Sequence, residues 1–297
     1  MSQNWIKQGQ IYPTRSQVPT VYPIDDKIWR IYFSDRASPN RSFIRYIDVE
    51  AGNPKKIIYE HKSSVLPWGP LGSFDYAGIM PSWIFTEPDG TVRLYYIGWS
   101  QRQDVPYHNG IGLAISKDQG RSFEKFSQGP ILADGCDETY FTGTSCVLRD
   151  SLGYKMYYLS CTEWVPGTPA EPRYHLKSRE SNNGIHWTNP QICIDYKNST
   201  EGGICRASVL GNQMWYCYRQ LENYRKDSSK SYRIGYASLN EGQWIRKDEE
   251  VNLPLSDSGW DSQMICYPHV IQHQGIYYLF YNGNNFGESG LGYAVLD

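Results

Sequence analysis

The apolar positions of this chain fall in short runs, bounded by turn residues, that fit strands better than helices. One aromatic-rich run recurs as Trp29-Arg-Ile-Tyr32-Phe-Ser, Arg93-Leu-Tyr-Tyr96-Ile-Gly, Lys155-Met-Tyr-Tyr158-Leu-Ser, Met214-Trp-Tyr216-Cys-Tyr-Arg and Tyr278-Leu-Phe-Tyr281-Asn-Gly. From Tyr32 through Tyr96, Tyr158, Tyr216 and Tyr281 the steps are 64, 62, 58 and 65 residues, which marks a repeat architecture. An apolar strand precedes each run, beginning at Pro19, Pro81, Ser145, Ala207 and Pro268. Turn signals such as Asp89-Gly90, Leu152-Gly153 and Gly211-Asn212 join the two as hairpins. A third strand follows at Ile44, Ile111, His175, Ile234 and Leu291, and a fourth opens at Phe123, Trp187 and Trp244.

Four strands in each of five repeats predict an all-β fold: a five-bladed β-propeller of four-stranded antiparallel blades. The fifth repeat stops at Asp297, straight after its third strand. The chain begins with Trp5-Ile6-Lys7, which matches Trp244-Ile245-Arg246. The N-terminal strand is therefore predicted to complete the last blade and remove an open edge. Residues 1–297 are expected to form one domain.

Composition narrows the partners. The 297 residues carry a net charge of -2, which argues against a nucleic acid or an anionic membrane as partner. No run approaches the roughly 18 apolar residues of a membrane span. No secretory signal is legible at the N-terminus, so a cytoplasmic location is expected. The 25 Tyr and 10 Trp exceed the 9 Phe, and rings with a polar edge both pack sheets and line sugar sites. Seven cysteines form no CxxC pair and read as reduced, buried thiols. Six dispersed histidines suggest no metal, the lack of a glycine-rich phosphate loop and of a G-x-S-x-G elbow argues against a nucleotidase or esterase, and no cofactor is expected. Ser116-Lys-Asp118-Gln-Gly120-Arg-Ser-Phe123 is an Asp-box turn, and Ser181 to Trp187 is its relative; both read as structural.

Inner strands of a propeller line its central channel. The positions just before or within them hold Arg15 with Gln17, Asp75 with Tyr76, Glu138, Glu201 with Arg206, and Asp261 with Gln263. Acids recurring at one mouth of a ring are costly unless a substrate or a cation balances them. Paired carboxylates suit glycosidic chemistry, and the guanidinium groups of Arg15, Arg206 and Arg219 suit a carboxylate or phosphate on the ligand. Trp99, Tyr107, Trp164, Tyr174 and Tyr224 are candidate sugar platforms.

The stretches Arg15-Ser-Gln-Val-Pro19, Gly72 to Gly78, Tyr107 to Ala114, Tyr232 to Ala237, Gly259 to Pro268 (with Tyr267) and Tyr281-Asn-Gly-Asn284 carry a resemblance. The chain resembles the five-bladed propeller superfamily of arabinanases, invertases and mannoside phosphorylases. More narrowly, it is similar to propellers of bacterial surface-polysaccharide biosynthesis. The resemblance implies that Glu138 is the proton donor and that Asp75 orients it. Glu201 would orient substrate or water, Asp261 would bind hydroxyls, and Gln263, Tyr267 and Asn284 would contact substrate. The first blade departs from the hydrolase pattern, because Thr14-Arg15-Ser16-Gln17 stands where the hydrolases place an acid. Three readings follow: a glycosidase-like enzyme acting on a sugar, sugar phosphate or activated sugar; a transferase using a nucleotide sugar; and a non-catalytic carbohydrate-binding propeller.

Overall fold

The computed structural model describes residues 2–37, 40–167 and 169–297. It is nearly all β. The first strand, β1 (Gln3–Tyr12), is followed by the meander β2 (Gln17–Pro23), β3 (Ile28–Ala37), β4 (Arg41–Glu50) and β5 (Asn53–His61). The next meander is β6 (Gly78–Thr86), β7 (Val92–Ser100), β8 (His108–Ser116) and β9 (Glu124–Lys125). A third runs through β10 (Thr142–Asp150), β11 (Gly153–Val165), β12 (Glu171–Ser181) and β13 (Thr188–Ile194). A fourth runs through β14 (Glu201–Leu210), β15 (Gln213–Gln220), β16 (Arg233–Asn240) and β17 (Gln243–Arg246). After the two-residue β18 (Val251–Asn252) come β19 (Cys266–His273), β20 (Ile276–Asn282) and β21 (Leu291–Leu296).

Within each meander, consecutive strands pair antiparallel, as short turns allow. The fourth strand of the last sheet is β1, in the register Trp5↔Leu296, Ile6↔Val295 and Lys7↔Ala294. That register repeats Leu239↔Trp244, Ser238↔Ile245 and Ala237↔Arg246. The match between the two sequence triplets is thus a match of position. The leading strands β2, β6, β10, β14 and β19 pack each against the next, and β19 returns to β2. The aromatic second strands supply the buried layer between sheets, with Tyr32, Tyr96, Tyr158, Tyr216 and Tyr281 all fully buried.

The Asp-box turns fasten one sheet to its neighbour. Asp118 Oδ1 accepts from the Arg121 and Ser122 amides at 2.9 and 3.0 Å, and Ser116 Oγ accepts from the Gly120 amide at 2.8 Å. Gly120 sits at φ +77°, open to glycine without strain, and its carbonyl accepts from Tyr32 OH of the preceding meander at 2.5 Å. The turn of Asn183 repeats this, with Tyr95 OH donating to the Gly184 carbonyl at 2.9 Å. Burial pushes the Asp118 carboxyl up, but its hydroxyl and amide donors hold it down at about 2. Asp118→Ala is expected to cost about 1 kcal/mol, as loss of a cap does, and urea unfolding would measure it.

Candidate functional site

A cavity of about 380 Å³ opens at the N-terminal ends of the inner strands. Each of those strands contributes to its wall: Val18, Met80, Thr144, Cys205 and Tyr267. Three of them bulge there and hold a non-glycine residue in the left-handed region, namely Val18 (φ 57°), Arg206 (φ 58°) and Tyr267 (φ 55°). For an L-residue that conformation costs roughly 1–2 kcal/mol, most for a β-branched one, and bulges re-aim side chains. Strain concentrated at one mouth of the ring marks it as a candidate site.

Rings and amides line this mouth. Gln17, Trp99, Tyr107 and Tyr267, all named from the sequence, face the cavity, as do Tyr174 and Tyr224. Trp99 is pinned by its indole N–H, which donates to Ser42 Oγ at 2.7 Å. Trp164 supports Tyr107 edge-on, with ring centroids 5.3 Å apart, rather than lining the cavity. Arg15 pairs with Glu288 outside the lining. Tyr76 lies in a separate surface groove, under the Arg41 guanidinium at 4.7 Å. Gln263 borders a smaller neighbouring recess. Its amide and that of Met264 donate to Asn284 Oδ1 at 2.8 and 3.1 Å, so Asn284 holds a loop in place.

The acids lie away from the cavity. Among the described residues no carboxylate lines the cavity. Asp75, Glu138, Glu201 and Asp261 are each almost fully buried beside the second-strand tyrosines or a fourth-strand cation. Asp75 takes Lys125 Nζ at 2.5 Å and Tyr96 OH at 3.1 Å. Asp261 takes Lys7 Nζ at 2.6 Å and Tyr281 OH at 2.9 Å. Glu201 receives both ends of Arg246, at 2.7 and 2.8 Å, and Asp248 receives Arg246 and Tyr216 OH. Glu138 receives Tyr158 OH and Ser160 Oγ, both at 2.5 Å, with Lys177 and Arg179 at 3.3 and 3.2 Å. These are internal clamps in which cations on fourth strands, or in β12, neutralise the acids. The sequence offered the signal: Lys7, Lys125 and Arg246 stand at one position of the fourth strand, two residues after its aromatic opener.

The inner arginines are also redistributed. Arg206 is fully buried between the cavity and a second recess at the opposite end of the inner strands. Its guanidinium donates to the Ser82 carbonyl, to the Pro19 carbonyl at 2.7 Å and to Thr20 Oγ at 3.0 Å, tying three inner strands together. Burial pulls it down to about 10. Arg219 lies behind the lining rings, 3.7 Å over Tyr224, and donates to Tyr174 OH at 3.2 Å and Tyr232 OH at 3.3 Å. Burial raises the phenols of Tyr107, Tyr224 and Tyr267, so they stay neutral, and Tyr224 OH donates to Glu171 Oε2 at 2.5 Å.

Two cationic side chains that sequence reasoning missed do line the cavity, Arg36 and Arg225. Arg225 is paired with Glu171 at 2.7 Å. Arg36 has no carboxylate within 4 Å among the described residues. No metal-binding group of His, Cys, Asp and Glu occurs among the described residues, and all seven cysteines are free thiols. No helix is long and apolar enough to cross a membrane.

No family model matches the chain. Two strains of Mycobacterium tuberculosis encode a similar protein, named "Uncharacterized protein Rv1502" in one of them, that is 32% identical over 99% of both chains. Among solved structures, the α-L-arabinofuranosidase from Lactobacillus brevis superposes with a TM-score of 0.70 at 11% identity, over 98% of this chain and 92% of that one. The β-1,2-mannobiose phosphorylase from Listeria innocua superposes with a TM-score of 0.66 at 11% identity, over 95% and 89%. These likenesses establish the fold as that of the propeller glycoside hydrolases and phosphorylases.

Proposed function

This chain belongs to the family of the Mycobacterium tuberculosis protein Rv1502, and from that premise we propose that it is a carbohydrate-binding propeller of glycosidase type. In this reading residues 1–297 form one five-bladed domain, closed by β1, and the cavity at the ring axis holds a sugar. The observation that carries it is the lining: all the inner strands converge on a mouth of aromatic faces and amides that contains no described carboxylate. Rings stack on pyranose faces, and amides such as Gln17 and Asn109 satisfy hydroxyls. The two-acid route needs carboxylates flanking a glycosidic bond. Asp75, Glu138 and Glu201 are instead occupied by internal cations, which favours binding over hydrolysis. The resemblance to propellers of surface-polysaccharide biosynthesis supports a ligand among such glycans or their precursors. Free thiols, including Cys205 and Cys217 with sulfurs 3.4 Å apart and unbonded, suit a cytoplasmic setting.

The test is calorimetric titration against a panel of sugars, sugar phosphates and nucleotide sugars, with mass spectrometry of each mixture. Saturable binding without product is expected, and Tyr107→Ala, still folded, should weaken it about tenfold, or roughly 1.4 kcal/mol. Turnover that Glu138→Gln abolishes in a folded protein would overturn this reading and restore the acid to catalysis.

A further inference from the structure

Gln17 and Arg36 lie on paired strands of the first sheet. Gln17 stands opposite Ser34, and Arg36 is two residues further along β3, so both side chains project from the same face into the cavity. Each carries a buried polar atom with no hydrogen-bond partner: Oε1 of Gln17 and Nε of Arg36. The orientation of the Gln17 amide is fixed, because its Nε2 donates to the Phe286 carbonyl at 3.0 Å and so turns Oε1 away. Arg36 commits only Nη1, which donates to Asn40 Oδ1 at 2.7 Å. Its Nε–Nη2 edge, the one that meets two oxygens at once, is without a partner among the described residues.

The surroundings supply no direct ion pair to Arg36 among the described residues, and Glu288 acts on it only at longer range. The adjacent Asp35 carboxylate is held on the other side by Arg45 at 2.9 Å. Glu288 is taken by Arg15, and Glu171 by Arg225. Behind the lining, Arg206 and Arg219 have no carboxylate partner among the described residues. Burial, and then the neighbouring Arg15, pull the Arg36 guanidinium down from its ordinary value, the direction expected of a cation awaiting an anion. An orphaned buried donor or acceptor costs about 1–3 kcal/mol, more when charged, so leaving two of them at one mouth is unfavourable without a ligand.

We propose that Arg36 and Gln17 form an anion-reading subsite, at which a two-oxygen group on the sugar, phosphate or carboxylate, meets the Arg36 Nε–Nη2 edge while an adjacent hydroxyl donates to Gln17 Oε1. This rests on the carbohydrate reading of the cavity and adds the charge class of the ligand. A neutral sugar would leave the guanidinium edge unmatched. A bare anion would leave the amide oxygen unmatched.

The test titrates the intact protein with glucose, galactose and mannose 1-phosphates, with glucuronate and galacturonate, with the methyl glycosides of these hexoses, and with inorganic phosphate. A sugar phosphate or a uronate is expected to bind at least about tenfold more tightly than its methyl glycoside or phosphate alone; which of the two classes does so identifies the anion. Arg36→Gln should cut that affinity about 30-fold or more, close to 2 kcal/mol, and should weaken methyl-glycoside binding far less. Arg36→Lys should restore only part of it, because an ammonium cannot present a fork. In the ligand-free protein Arg36→Gln should unfold at the same urea concentration or a higher one, since it removes a partly buried charge that has no direct ion pair among the described residues. Equal affinity for charged and neutral forms, or a fall in ligand-free stability on Arg36→Gln, would overturn the subsite. The first outcome would leave the carbohydrate reading standing, whereas no binding of any sugar would remove both.

Discussion

Arg246→Met should be among the most destabilising single substitutions in this protein, lowering unfolding free energy by about 3–5 kcal/mol. Arg246 lies 2.7 and 2.8 Å from the two oxygens of Glu201 and 2.7 Å from Asp248 Oδ2. Glu201 is 3% exposed and Asp248 9% exposed, so water cannot replace the guanidinium. Lys197, at 2.9 Å, would remain for Asp248, but Glu201 would keep only the Lys197 amide as a donor. Burial pushes the Asp248 carboxyl up, and Arg246 together with Tyr216 and Lys197 more than reverses this, leaving it below the usual range. The stability this confers is present above the unfolded value of about 3.9 and is lost as pH falls through the folded value. Urea unfolding at neutral pH measures the cost. Arg246→Met combined with Glu201→Met should recover much of it, since an apolar pair replaces a buried ion pair at little net cost. A single mutant as stable as the parent would mean that the clamp is not structural, and Glu201 would return as a candidate for chemistry.

That prediction also shows where sequence reading succeeds and where it stops. The five tyrosine-bearing runs announced the sheets because a buried second strand must repeat its large residues at the sheet period. The orphan triplet Trp5-Ile6-Lys7 announced the closing strand, and Lys7 lies opposite Ala294 as Arg246 lies opposite Ala237. The same comparison held the fate of the acids. A basic residue at one position of the fourth strand, facing an acid ahead of the first, is a pair, but seeing it requires knowing which strands neighbour in space. Asp75, Glu138 and Asp261 precede inner strands and Glu201 opens β14, and a residue at such a point can turn its side chain toward the mouth or back over the sheet. Sequence spacing does not record that choice. Arg36 and Arg219 illustrate the same limit, since both lie near the ends of second strands. One reaches the cavity with an open edge, and the other is covered by Tyr174, Tyr224 and Tyr232.

Acid should weaken the axis of the ring before it affects the clamps. His269 is 3% exposed, with its ring 4.8 Å from Trp83 and its Nδ1 3.3 Å from Arg206 Nη2. Burial, and then the Arg206 charge, hold its pKa well below the ordinary imidazole value. The folded protein therefore keeps His269 neutral where the unfolded chain already binds a proton. Stability from this group is complete above the unfolded value of about 6.5 and declines as pH falls below it, by about 1.4 kcal/mol per pH unit. Between pH 6.5 and 4.5 the loss should reach about 2 kcal/mol. Urea unfolding at several pH values, compared with His269→Asn, isolates the effect. His61 and His108, also lowered by burial, are common to both proteins and cancel. Two parallel stability profiles would show that His269 does not titrate with unfolding. Converging profiles would show that the axis beneath the cavity tolerates one cation, Arg206, and resists a second beside it.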